Sequence, residues 1–138
     1  MSLTDLGEPK YLLLTTHRAD GTPVPTPVWC VRDGSRLRVI TQADSGKVRR
    51  IRANADVQVG PCDARGRPKG AQVPARAVLL EDSDVEATAD AIARRYGLLG
   101  RLLMRRNRRR MARGGAGMTA IAVEAVTATW GISGGVLP

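Results

Sequence analysis

Ser45-Gly46-Lys47, followed by Arg49 and Arg50, is the run whose residue types and spacing point most directly to chemistry. The stretch from Thr41 to Asn54, TQADSGKVRRIRAN, reads as a strand end, a polar turn and a short helix over 45–54, capped by Asp44 or Ser45. Amides in the first turn of a helix lack internal acceptors and carry partial positive charge. A cation beside them is unfavourable by roughly 0.3–1 kcal/mol at low salt. A bound anion reverses that sign. The free amides, the Ser45 hydroxyl and the Lys47 ammonium then converge on one phosphate or carboxylate. The competing reading is a solvated basic helix whose lysine head stands in water.

Other chemistries find little support. In a nucleotide P-loop, glycine stands where this chain has Thr41, and Ser or Thr stands where it has Val48. No G-x-G-x-x-G follows a strand, which argues against a dinucleotide fold. His17 is the single histidine, and Cys30 and Cys62 lack metal-ligand spacing, so no metal site is expected. Both cysteines fall in strands and read as small core residues, a structural disulfide not being expected without a secretory context. No catalytic side chain is identified. His17 is a candidate proton donor whose simpler reading is a loop histidine.

The formal net charge is +9, which attracts phosphates, carboxylates, nucleic acid or anionic lipid. An apolar fraction of 43% argues against disorder. Aromatic residues make up only 3% and Phe is absent, so the core must be aliphatic, and specific nucleic-acid binding by base stacking is not expected. No apolar run is long enough to span a bilayer, and residues 1–9 hold no hydrophobic signal region; a cytoplasmic protein is the expectation.

The elements that must position Lys47 are mostly strands. Strands are expected over 10–16, 24–32, 36–41, 56–64, 73–81 and 118–128, with Asp20-Gly21 and Asp33-Gly34 as turns. Pro25 and Pro27 cannot donate to a ladder and assign the second strand to an edge or irregular position. Leu37, Val39 and Thr41 share one face of the third strand, Arg36 and Arg38 the other. Val48, Ile51 and Ala55 give the short helix a core-facing side. Helices are expected over 84–95 and 96–113, the second interrupted near Gly97 and Gly100. In Arg101–Arg113, RLLMRRNRRRMAR, the simpler reading packs Leu98, Leu99, Leu102, Leu103 and Met111 on one face and solvates the arginines. Binding a cofactor tail, nucleic acid or a membrane is the alternative. Trp130 reads as a packing anchor, with a place in a dimer interface as the alternative. No repeat or domain boundary stands out, so residues 1–138 read as one mainly β, barrel-like domain with a few helices.

The combination DGTPVPTPVW, ADSGKVRRIRANADV and PCDARG, within Tyr11 to Pro68, resembles the split β-barrel flavin/deazaflavin family with the pyridoxamine 5′-phosphate oxidase-like fold. The likeness is to its branch using the deazaflavin coenzyme F420. The resemblance implies a six-stranded split β-barrel of the FMN-binding type. It implies a phosphate clamp at Lys47 with Ser45 and Gly46, and Thr41 as a polar neighbour. Arg49 and Arg50 would hold the phosphate or an oligoglutamate tail, and Pro27, Val28 and Trp29 would lie along the deazaflavin ring, Val28 offering a backbone N–H. It also implies a homodimer with cofactor sites at the interface. The implied activity is hydride transfer from reduced coenzyme F420 to a small unsaturated or quinone-like substrate. The alternatives are an FMN-binding oxidoreductase and a non-catalytic cofactor carrier of the same fold.

Overall fold

The computed structural model describes residues 10–112 and 117–126. Seven strands and two helices follow in the order β1 (Tyr11–His17), β2 (Pro23–Val28), β3 (Cys30–Asp33), β4 (Arg36–Gln42), α1 (Gly46–Ala53), β5 (Asp56–Cys62), β6 (Val73–Leu79), α2 (Asp82–Ala112) and β7 (Met118–Ala125). The strands form one antiparallel sheet in the order β2-β1-β5-β6-β7-β4-β3.

That order dictates the shape. β2 and β3 occupy opposite edges, yet only Trp29 separates them in the chain. In a flat sheet the two edges would stand ~29 Å apart, at ~4.8 Å per strand. A single intervening residue reaches ~7 Å. The sheet must therefore curl until its edges meet at Trp29, which makes it a mainly β split barrel. Residues 24–32, expected to form one strand of six, are divided in two. The bend at Trp29 makes seven, because the two halves of that segment pair with different neighbours, β2 with β1 and β3 with β4.

Aliphatic side chains fill the barrel, as a chain without Phe requires. Leu12, Leu14, Leu37, Val39, Val57, Val59, Ile121 and Val123 form its interior, with Ile51 of α1 among them. Val48 and Ile51 are buried, and the Ser45 side chain caps α1 by accepting from the Val48 amide at 3.4 Å. The edge position expected from the prolines is found: β2 pairs with β1 alone.

A second cluster lies outside the barrel, where Ile92, Val85, Ala89 and Tyr96 of α2 cover Val31 and Ile40. Arg38 ties the two layers. It donates to Asp33 at 2.7 Å and to Thr88 at 3.3 Å, and stands 3.6 Å from Asp84. Gly97 interrupts α2 at φ 62°, ψ −133°. A Cβ at Gly100 would fall 2.9 Å from the Ala93 Cα. Residues seven apart stand ~10 Å apart in a straight helix, so the chain turns back sharply at Gly97, within the expected interruption. The simpler reading of the segment after it is corrected. Leu98, Leu99 and Leu102 are 73%, 54% and 50% exposed, because the turn braces Gly100, not the leucines, against the first half of α2. The side chains of Leu103 and Met111, and Trp130, lie outside the described set.

Candidate functional site

A cleft of about 270 Å³ opens where the barrel edges meet. Pro27, Val28 and Trp29 form one wall, Ile40 and Thr41 at the end of β4 form another, and Tyr11, Ala64 and Lys47 complete it. Five of the nine residues singled out from the sequence thus line one space: Pro27, Val28, Trp29, Thr41 and Lys47.

The other four stand outside that lining, Ser45 and Gly46 at the start of α1, Arg49 in its middle and Arg50 in its last turn. Ser45 is the cap. Gly46 begins the helix beneath the Arg50 guanidinium, and a Cβ there would meet Arg50 Nη1 at 2.7 Å. Arg49 Nη1 donates to the Asp44 carbonyl at 3.0 Å, and Arg50 Nε donates to Thr16 Oγ1 at 2.7 Å. These two arginines are thus held by the protein's own oxygens.

The inverted charge pattern narrows to one residue. α1 has eight residues, so Arg50 and Arg52 fall in its last turn, where the helix dipole favours cations. Its first turn holds no acid, and Lys47 stands there. The Lys47 side chain is half-buried, and among the described residues no carboxylate or carbonyl receives its ammonium. Burial, then the nearby Arg50 charge, holds its pKa below the ordinary lysine value. An anion in the cleft would relieve both effects.

β2 presents a particular surface to this cleft. Its prolines recur at 23, 25 and 27, and a proline nitrogen must point away from the paired strand. The amides of Val24, Thr26 and Val28 are therefore turned toward β1, and Val28 sits opposite Leu12. The expected free N–H of Val28 is corrected on this ground, and its contribution to the cleft is apolar. Gly66, at φ 83°, brings the loop after β5 onto this wall, where an added Cβ would lie 3.2 Å from Pro27 Cδ.

Trp29 is held by a clasp that the sequence reading missed. Its ring stacks on Tyr96 with centroids 4.4 Å apart and planes 6° apart. The Tyr96 hydroxyl donates to the Lys10 carbonyl at 2.8 Å and accepts from the Cys30 amide at 3.2 Å. Arg95 Nη1 donates to the Cys30 carbonyl, and its guanidinium lies 5.0 Å from the Tyr96 ring centroid. Burial raises the Tyr96 phenol pKa, keeping it a neutral donor. The only local signal was an aromatic residue just before a helix-breaking glycine; its partners lie 65 or more residues away.

His17 lies outside the cleft lining, with Nδ1 3.2 Å from the Asp56 carbonyl. Cys30 and Cys62 are buried free thiols, and burial is the main cause raising both pKa values. Among the described residues no cluster of His, Cys, Asp or Glu fits a metal. No described helix is long and apolar enough to cross a membrane.

A curled antiparallel sheet whose edges close through one residue, with the start of a short helix contributing Lys47 to the cleft beside it, is a split β-barrel. Residues 4–129 match the family described as pyridoxamine 5′-phosphate oxidase, and the chain belongs to it. Among solved structures it is similar to HutZ, the heme storage protein from Vibrio cholerae (16% identity, TM-score 0.64, 92% of each chain covered). It is also similar to an F420 reductase (22% identity, TM-score 0.54, 88% of this chain and 90% of that one). A third is an FAD-binding protein from Mesorhizobium loti (15% identity, TM-score 0.57, 87% and 82% covered). At these identities the likeness is one of fold. No curated protein matches the sequence.

Proposed function

We propose that the chain is an oxidoreductase that binds a tricyclic flavin-type cofactor in the cleft at Trp29, with the cofactor phosphate on Lys47. The observation that carries this reading is the half-buried Lys47 ammonium, without a described partner, in a cleft whose facing wall is Pro27, Val28 and Trp29. The first-turn amides of α1 and the Thr41 hydroxyl complete an anion site beside it. Arg49 and Arg50, already engaged by Asp44 and Thr16, act at longer range on the phosphate or on an acidic tail.

Coenzyme F420 is the preferred cofactor, and FMN the alternative, since both present a planar ring system and a phosphate. The basic balance of the chain favours the coenzyme bearing additional carboxylates. When bound, the reduced deazaflavin supplies a hydride to a small unsaturated or quinone-like substrate. The residues of this chain bind, orient and shield it. Trp29 gives a flat apolar wall fixed by Tyr96, Val28 and Ile40 exclude water, and Lys47 neutralises the phosphate. A second copy closing over the β2 edge, as a homodimer, completes the enclosure. A non-catalytic carrier would use the same contacts and differ only in lacking turnover.

Titration separates these readings. In a Trp130→Phe background, Trp29 emission is followed while coenzyme F420 or FMN is added. Saturable quenching by coenzyme F420 at lower concentration than FMN supports the preference, and the reverse order overturns it. Turnover with a panel of enones and quinones then divides reductase from carrier.

A further inference from the structure

The second half of α2, from Leu98 on, is unlike any other surface described. Leu98, Leu99 and Leu102 are exposed beside Arg101, Arg105, Arg106 and Arg109, which are exposed too. Leu98, Arg101, Leu102 and Arg105 follow helical spacing along one face and border a depression of about 310 Å³. The segment 98–112 contains six arginines and no acid. The turn at Gly97 and the contact of Gly100 with Ala93 hold this half-helix against the first, so its side chains are presented on a braced element.

We propose that this half-helix docks the protein on an anionic lipid bilayer. The leucines enter the interface, and the guanidinium groups reach the headgroup phosphates on their long apolar stems. Three observations favour lipid. Nucleic acid would satisfy the arginines and leave the leucines in water, and the aromatic pair Trp29–Tyr96 is already stacked within the protein. A second copy meeting through this face would set arginine against arginine without an intervening acid from the segment. The helix is too short and too charged to cross a membrane, so it lies on the surface. The proposal is independent of the cofactor cleft.

The test is co-sedimentation of the full chain with vesicles of phosphatidylcholine alone and of phosphatidylcholine with about 30% phosphatidylglycerol near physiological salt. The expected result is binding to the anionic vesicles only. A Leu98→Ser, Leu99→Ser, Leu102→Ser variant should partition about tenfold more weakly or worse. Arg101→Gln with Arg105→Gln should weaken it by a comparable factor. Because all five side chains are exposed, both variants should keep the wild-type urea midpoint, and the arginine variant decides the matter if the leucine variant does not fold. Absence of binding to anionic vesicles overturns the proposal. So does a folded leucine variant that partitions as wild type, which would leave charge alone. A leucine variant that turns a dimer into a monomer, with no vesicle binding by the wild type, assigns the face to a second copy instead.

Discussion

Lys47, Arg49 and Arg50 stand on an eight-residue helix whose Val48 and Ile51 are buried in the barrel end. Arg101, Arg105, Arg106 and Arg109 stand on a half-helix whose described leucines are exposed. The first helix is anchored, so its cations have fixed destinations. One arginine reaches Asp44, another reaches Thr16, and Lys47 is left facing the cleft. The second has no such anchoring along its leucine face, so its cations act as a field over an area. Where the apolar side is buried, the arginines Arg49 and Arg50 have fixed partners; where it is exposed, the described arginines stand in solvent beside the leucines.

The largest effect expected from this contrast is on stability. Ile51→Ala should cost about 2–5 kcal/mol in urea denaturation, since the side chain is 4% exposed within the barrel core. Leu98→Ala should change stability by no more than about 0.5 kcal/mol. Equal costs at the two positions would remove the distinction. Next in size is the Trp29 clasp. Tyr96→Phe removes the acceptor of the Cys30 amide and the donor to Lys10, and should cost about 1–3 kcal/mol while changing Trp29 emission. An unchanged emission spectrum would mean that Trp29 is positioned by the barrel seam alone.

The seam also shows where the sequence was legible and where it was not. Alternating prolines announced an edge strand, because a missing N–H is a local property. The break at Trp29 was hidden, because 24–32 has no turn signal inside it and bends only when the sheet curls. The helix start that carries Lys47 was readable from spacing, with its cap narrowed to Asp44 or Ser45, as was the interruption near Gly97. The separate fates of Arg49, Arg50 and Lys47 were not, since Thr16 and the cleft arrive through tertiary packing. Tyr96 belongs with these: its role depends on Lys10, Trp29 and Cys30, all distant in the chain. The exposure of Leu98, Leu99 and Leu102 contradicts a helical periodicity that, taken alone, signals burial.

A smaller effect concerns pH. Burial and Arg50 hold the Lys47 pKa below its ordinary 10.5, so the folded chain releases this proton before the unfolded chain does. Stability of the ligand-free protein should therefore rise with pH between the lowered folded value and 10.5, because the unfolded state binds more protons there. Affinity for a phosphate-bearing cofactor should fall over the same interval as the ammonium is lost. In Lys47→Met both slopes should flatten. A wild-type slope that persists in the variant would assign the titration to another group.

The central claim is that Lys47 is kept charged and half-buried, at some cost to the folded state, in order to hold a cofactor phosphate. Trp29 quenching by coenzyme F420 and by FMN, measured in the Trp130→Phe background with and without Lys47→Met, together with the urea midpoint of each ligand-free protein, tests it most directly. The account predicts an affinity lower by about tenfold or more for the cofactor that binds, with a midpoint equal to or above that of wild type. Wild-type affinity in a folded Lys47→Met variant would contradict it.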